Sequence, residues 1–390
     1  MRALHLSWEY PPYIVGGLGR HVYYLTQELA KLGLTVDVAT IGYEDGHLTQ
    51  NGVNIHLVDA FRVRVPDFTS WVHSFNLFIA MELSHVDKGF DIIHVHDWLT
   101  APAGIVLKHR FKTPLIATVH ATEYGRRGGI HSVESMHIHE WEWKLTYEAW
   151  RVIVCSSYMM NEVHNVLGVP WDKMVLIPNG VDKSLLLFKP SEKYPRDKYA
   201  APWESMIVFY GRLVYEKGPD TVLRAFREVL RSRGDVKLLI VGDGPMREYL
   251  VSLSRELDLG QKVYFTGRVN DEELYSIIYH SDVVVLPSRY EPFGISILEA
   301  MALGKPVVTT NRGGPVDFVK HFENGIQANP DNPSEVASYI LMLLNDRGMA
   351  RRLGDKAREA VANSYTWDKI ALRTVKLYEQ VVEERSRVKW

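Results

Sequence analysis

Cysteine is nearly absent from this chain. The single thiol, Cys155, excludes an intrachain disulfide and a cysteine-built metal cluster. Within the β-branched run Val152 to Cys155 it reads as a small buried residue, not a nucleophile. An excess of charge of one sign is lacking too. Lys and Arg number 45 against 47 Asp and Glu, a formal net charge of −2, which gives no bulk attraction to nucleic acid or anionic lipid. No apolar run reaches the ~18 residues needed to cross a bilayer. No secretory signal is read at the start, where Leu4 to Trp8 is a short strand-like run followed at once by Tyr10-Pro11-Pro12. The expectation is a cytoplasmic protein with no nucleic-acid or membrane partner. Asp-x-Asp triplets are missing as well, and His137 and His139, two positions apart, would face different sides of a helix. No metal and no cofactor are expected.

What is present is a grammar of strand, tight turn and helix that runs once through each half. At 390 residues two domains are expected, over 1–188 and 189–366, the charged, proline-containing segment 189–202 serving as linker. The most informative stretch is Ser281 to Asn311. Asp282 to Leu286 is a β-branched run suited to a buried parallel strand. Pro287, Pro292 and Gly294 punctuate the loop after it, Ile295 to Leu303 is a helix, and Val307 to Thr310 is the next strand. Glu291 sits on the loop and Glu299 eight positions later on the helix. Between them the N–H groups of Gly294 and Ile295 form a helix start suited to an anion. Two carboxylates flanking that start, with Phe293 beside it, suit a nucleotide-sugar donor. Either acid alone reads equally well as an ordinary loop or helix residue.

In the first half, Arg2 to Ser7 is a strand, and Gly16-Gly17-Leu18-Gly19 precedes a helix from about Arg20 to Leu32 whose Val22, Leu25, Leu29 and Leu32 form one apolar stripe. Gly16, Gly17 and Gly19 would let the backbone approach a phosphate or sugar. Thr35 to Ile41 and Val53 to Val58 are strands, and the aromatic-rich segment Arg62 to Lys88 is helical in its second half. Strand Asp91 to Val95 ends in His96-Asp97-Trp98, where Asp97 either contacts substrate or caps a helix. Strand Leu115 to Val119 ends in His120, beside a glycine-rich loop, Tyr124 to Ser132, that carries Arg126 and Arg127. Because ligands of open α/β sheets lie beyond the carboxyl ends of strands, His120 is a site candidate. A helix over His137 to Trp150, a strand to Ser156 and a helix over Ser157 to Leu167 follow, and Val175 to Ile177 leads into Pro178-Asn179-Gly180-Val181-Asp182.

The second half restarts with strand Met206 to Tyr210, then Gly211-Arg212-Leu213 and Glu216-Lys217-Gly218, then a helix from about Pro219 to Arg231. Arg212 and Lys217 at that strand end suit a diphosphate, one as a fork and one as a point charge. Lys237 to Val241 runs into Gly242-Asp243-Gly244-Pro245, and Val263 to Thr266 into Gly267-Arg268-Val269. Helices are expected over Pro333 to Leu344, Ala350 to Ala362 and about Asp368 to Arg387.

The run Glu-Pro-Phe-Gly-Ile-Ser-Ile-Leu-Glu from Glu291 to Glu299 resembles the E-x7-E signature of retaining glycosyltransferases of the GT-B fold, family four, and most closely the glycogen synthases. Trp8-Glu9-Tyr10-Pro11-Pro12 with Gly16-Gly17-Leu18-Gly19, His96-Asp97-Trp98, Ile177 to Asp182 and Gly211-Arg212 with Lys217-Gly218 are similar to other marks of that family. One departure is that Ile14 and Val15 stand where the bacterial starch-synthase type has a Lys before the two glycines. The resemblance implies two Rossmann-like, doubly wound parallel-sheet domains facing a cleft, with the helix at about 367–390 crossing back to the first. It implies catalytic roles for His120, Arg212, Lys217 and Glu291. Arg212 and Lys217 would clamp the pyrophosphate, Glu291 would lie at the donor sugar and Glu299 at the ribose. The His120 carbonyl would face the anomeric carbon. Gly267 and Val269 would lie against the nucleobase and Asp97 near the acceptor, while Asn179 and Gly211 complete the substrate-binding set with Phe293, Gly294 and Ile295. The implied function is metal-independent, same-face transfer of glucose from ADP- or UDP-glucose to the non-reducing end of an α-1,4-glucan. A different acceptor (a sugar, sugar phosphate or lipid-linked glycan) and a non-catalytic nucleotide-sugar sensor are the alternatives.

Overall fold

The computed structural model describes residues 1–14, 16–86 and 89–389. Val15, Lys88 and Trp390, which enter the expectations above, lie outside the described residues. The chain forms two compact units, Met1–Gly180 with Trp367–Trp390, and Val181–Thr366.

The first unit is built on eight strands: β1 (Arg2–Leu6), β2 (Thr35–Gly42), β3 (Gly46–Gln50), β4 (Val53–Asp59), β5 (Ile92–His96), β6 (Leu115–Val119), β7 (Arg151–Val154) and β8 (Met174–Leu176). Their spatial order is β3-β4-β2-β1-β5-β6-β7-β8, parallel except for the β3–β4 hairpin. That hairpin was not expected. Its signal was Asn51-Gly52, both at positive φ, the pair a two-residue hairpin turn favours. The helix Trp367–Ser386 buries Trp367, Ile370, Leu377 and Tyr378 in one apolar cluster with Val22, Leu25 and Leu29 of the helix Gly17–Lys31. Arg151 and the Trp150 indole bind Glu384 near its end, at 2.6 and 2.8 Å.

The second unit carries β9 (Ser205–Tyr210), β10 (Val236–Val241), β11 (Val263–Gly267), β12 (Val283–Leu286), β13 (Val307–Thr310) and β14 (Ile326–Ala328). The order is β11-β10-β9-β12-β13-β14, parallel throughout. Among the parallel strands of each sheet the order reverses once, between β1 and β5 and between β9 and β12. In open α/β sheets such a reversal opens a crevice beyond the carboxyl ends of the strands. It is there that His96 ends β5 and Asp97 follows it, Arg212 and Lys217 follow β9, and Glu291 follows β12.

Three expectations need correction. The segment 189–202 is not a free linker but part of the second unit. Tyr194 and Tyr199 are buried, the Tyr199 hydroxyl donates to Glu273 at 2.7 Å, and Arg196 binds Asp282 at 3.2 Å. The boundary falls instead at Gly180–Val181. The helix after β1 begins at Gly17, not Arg20, because the Glu9 carboxylate accepts from the N–H groups of Gly16 and Gly19, at 2.8 and 3.3 Å, and so caps the turn. The loop Tyr124 to Ser132 opens with a helical turn, Glu123–Arg127, capped by the Thr122 hydroxyl. Among the described residues no helix is long and apolar enough to cross a membrane.

Candidate active site

In the second unit two loops are held together by one side chain. Arg289, after β12, forks onto both oxygens of Asp220 at 2.8 Å each, donates to the Tyr215 carbonyl at 2.9 Å, and lies over the Tyr215 ring. Its backbone N–H donates to the Glu216 carbonyl at 2.7 Å. Gly218 presses on the same loop. It adopts φ +68, and a Cβ there would lie 2.3 Å from the Pro287 carbonyl oxygen, so no other residue fits without displacing backbone. The result is an ammonium beside a carboxylate: Lys217 Nζ stands 2.6 Å from Glu291 Oε2, which also accepts from the Ser288 hydroxyl at 3.2 Å. Glu291 is buried and Lys217 partly open. Arg289 escaped the sequence reading because nothing local marks a loop arginine whose partner lies 69 positions away.

Gly294 then turns the chain into the helix Ile295–Ala302. Ile297 and Leu298 donate the first helical bonds to the Gly294 carbonyl, so the N–H groups of Gly294 and Ile295 stand ahead of them, as an anion site requires. Glu299 is buried and accepts from the Tyr275 hydroxyl at 3.2 Å. Phe293 is core: it is buried against Phe318, ring centroids 5.2 Å apart. Arg212 is exposed and, among the described residues, makes no ion pair. Gly211 and Gly267 lie at the ends of β9 and β11, joined through Gly242, whose N–H donates to the Gly267 carbonyl at 2.9 Å. Val269 is half-buried two residues beyond Gly267.

In the first unit, Asp97 neither caps a helix nor stands free. Held at φ 59, it aims Oδ1 at the backbone N–H of His120, 2.7 Å away, and so fixes the turn that presents His120. Burial pushes its carboxyl up to about 6, against the pull of Arg126 and of the N–H groups of His120 and Ala121. Asn179 is also buried, its side-chain oxygen 2.6 Å from His21 Nδ1, which donates to it. Gly16 and Gly19 offer their N–H groups to Glu9, not to solvent, and Gly17 is the first residue of the helix.

Sequence reasoning passed over Glu142. Its Oε1 accepts from the Glu123 N–H at 2.7 Å, while Oε2 is buried without a partner. Burial raises its carboxyl to about 8 from an ordinary 4.5. Folding then takes up a proton. Stability contributed by this group is full below pH 4.5, falls as pH rises toward about 8, and is level above, with a slope of about 1.4 kcal/mol per pH unit. Glu142→Gln keeps an acceptor for the Glu123 N–H and is expected to remove that slope. Urea midpoints of variant and parent should agree near pH 5 and separate near pH 8, the variant being the more stable.

Beside this loop opens a pocket of about 620 Å³ lined by Tyr124, His139, Tyr158, Asn161, Glu162 and Asn165, among others. Glu162 ties it to the strand end, accepting from the Thr122 hydroxyl at 2.6 Å. Two sets of three histidines, His5 with His94 and His96, and His21 with His96 and His120, bring ring nitrogens within 4.8 Å of one another, but both nitrogens of His5, His94 and His96 are already paired with other side chains.

The model described as Glycosyltransferase Family 4 matches residues 15–185, and that described as Glycosyl transferases group 1 matches residues 191–360. An uncharacterized glycosyltransferase of Methanocaldococcus jannaschii is 39% identical over 99% of this chain and 100% of its own length. A glycogen synthase of Mycobacterium tuberculosis is 30% identical over 97% of this chain and 94% of its own. Among solved structures, sucrose-phosphate synthase from Thermosynechococcus elongatus superposes with a TM-score of 0.81 at 26% identity, over 98% of this chain and 99% of that one.

Proposed function

Because the chain belongs to the family-four glycosyltransferases of GT-B fold, we propose that it transfers glucose from ADP- or UDP-glucose to the non-reducing end of an α-1,4-glucan, with retention at the anomeric carbon. The observation that carries this reading is the Lys217–Glu291 pair, 2.6 Å apart at the strand-order reversal and directly before the helix start at Gly294. One of the three ammonium donors serves Glu291, and two remain for phosphate oxygens. Arg212 adds an exposed guanidinium, and the N–H groups of Gly294 and Ile295 add fixed partial charge. Charge set in advance where a leaving diphosphate turns negative is the dominant catalytic term in such transfers.

Glu291 orients sugar hydroxyls and does not attack: Lys217 and Ser288 hold its Oε2, and Oε1 accepts from a sugar hydroxyl. The departing phosphate oxygen takes the acceptor's proton as the new glycosidic bond forms on the same face. Glu299 holds the ribose, Gly211, Gly267 and Val269 line the nucleobase, and His120 meets the hexose. A small matrix decides the substrate pair: ADP-, UDP- and GDP-glucose against glycogen, maltose, sugar phosphates and lipid extract. Glucose entering glycogen supports the reading. Transfer only to another acceptor overturns the glucan assignment while keeping the donor chemistry.

Two further outcomes are expected. The pocket beside Thr122 offers two exposed tyrosine faces with amide, carboxylate and imidazole groups between them, which suits a glucan chain. Tyr158→Ala should raise the glycogen concentration giving half-maximal rate by about fivefold to tenfold, the worth of one aromatic contact, with the KM for donor unchanged. The transfer needs no metal, so treatment with a chelator should leave the rate intact. A loss restored by an added divalent ion would overturn the metal-independent reading.

A further inference from the structure

Six side chains form an unbroken hydrogen-bonded row under the strand ends of the first unit. Thr118 Oγ1 and His94 Nε2 are 2.6 Å apart, His94 Nδ1 and the Tyr378 hydroxyl 2.6 Å, and that hydroxyl and His5 Nε2 3.3 Å. His5 Nδ1 and His96 Nε2 are 3.0 Å apart, and His96 Nδ1 and His120 Nε2 3.3 Å. The first five are buried, and His120 at the end of the row is half-buried. Three strands, the turn after β6 and one helix supply them. His5 on β1 pairs in register with His94 on β5, His96 with Thr118 on β6, and Tyr378 comes from the helix Trp367–Ser386.

Such a row has a direction. Burial holds all four of its imidazoles below their ordinary pKa, His5 and His120 at about 3, so each ring carries one N–H and one lone pair. Two arrangements satisfy the row internally, differing in which way every proton points. Thr118 chooses between them. Among the described residues its hydroxyl meets no acceptor other than His94 Nε2, and a buried O–H left without an acceptor is costly. It therefore donates to His94. His94 Nδ1–H must then donate to Tyr378, the Tyr378 O–H to His5 Nε2, His5 Nδ1–H to His96 Nε2, and His96 Nδ1–H to His120 Nε2.

We propose that this row fixes His120 as the Nδ1–H tautomer, so that it presents a hydrogen-bond donor, and that Thr118, His94, Tyr378, His5 and His96 act as positioning residues for it. The functional part rests on the reading above that His120 meets the transferred hexose. There Nδ1–H donates to a sugar hydroxyl oxygen, which directs that hydroxyl's own proton elsewhere, toward a carboxylate or phosphate acceptor. No proton is transferred along the row. It acts by holding one pattern of N–H groups in place.

The test is nitrogen-detected NMR of the full chain labelled with 15N in its histidine rings, with His120→Gln used to identify the His120 signals. The expected spectrum shows His120 protonated at Nδ1 and bare at Nε2. A proton on Nε2 overturns the proposal. Tyr378→Phe removes the hydroxyl that connects His94 to His5 and should shift His120 toward a mixture of tautomers. Should that variant fold poorly, Thr118→Val removes only the group that sets the direction and should have the same effect. An unchanged tautomer in a folded variant overturns the row. Kinetics separates the row from the role of His120. If the tautomer changes, kcat should fall by roughly tenfold, the worth of one hydrogen bond, with KM for donor within about twofold. A mixed tautomer with unchanged kcat would keep the row and overturn the contact between His120 and the hexose.

Discussion

Lys217→Ala is expected to lower kcat by about a hundredfold or more, the usual effect of removing one preset donor from a site of developing negative charge. The same change should also destabilise the second unit. Glu291, buried with 8% of its side chain exposed, would lose its counter-charge, and a buried carboxylate without one costs several kcal/mol. Two readouts tell these effects apart. In the double variant with Glu291→Gln the stranded charge is gone, so melting should recover toward that of the parent while turnover does not. Arg212→Ala supplies the contrast. That guanidinium is exposed and makes no ion pair among the described residues, so its removal should cost turnover at least tenfold and leave melting unchanged. Full activity in Lys217→Ala would dispose of the diphosphate clamp.

The second large effect is expected for Glu291→Gln alone. The amide keeps the size and the Ser288 contact but removes the charge that draws Lys217 to 2.6 Å. It also replaces one of two oxygens with a donor, so a sugar hydroxyl loses an acceptor. Transfer should fall by about tenfold to a hundredfold, with donor hydrolysis falling in parallel, while the melting temperature moves little, since Lys217 is partly open and regains water. Measuring kcat for glucose transfer beside a thermal melt decides the matter. Proportionate loss of both would make Glu291 a packing residue that holds the loop and nothing more.

Much of this was readable in the chain because parallel strands buried on both faces write themselves as apolar runs. β5, β6, β9, β12 and β13 appear within a residue or two of where the runs predict them. The loop chemistry around Glu291 was legible for the same reason: glycine and proline leave few conformations open. What was not legible depends on partners far apart in sequence. Asp97 was weighed as a helix cap or a substrate contact; its side chain caps no helix but holds the His120 N–H, a bond between two loops. The glycines after β1 read as a ligand turn because the acceptor that takes their N–H groups, Glu9, lies several residues upstream with nothing local to mark it. The supposed linker is polar and proline-bearing, as linkers are, yet its tyrosines are pinned by Glu273 and Asn270. Composition could not distinguish a tether from a strap.

The helix Trp367–Ser386 belongs to the first unit although the whole second unit is translated before it. On the ribosome, then, Val22, Leu25 and Leu29 emerge without the part of their cover that Trp367, Ile370, Leu377 and Tyr378 supply, and the roughly 200 residues still to come need about 10–40 s at ordinary elongation rates. Over that interval the nascent amino-terminal half exposes a greasy groove that a chaperone must shield, whereas residues 181–366 can mature as soon as they clear the tunnel. Stop codons near residue 366 should therefore yield a sound second unit joined to an aggregating first one.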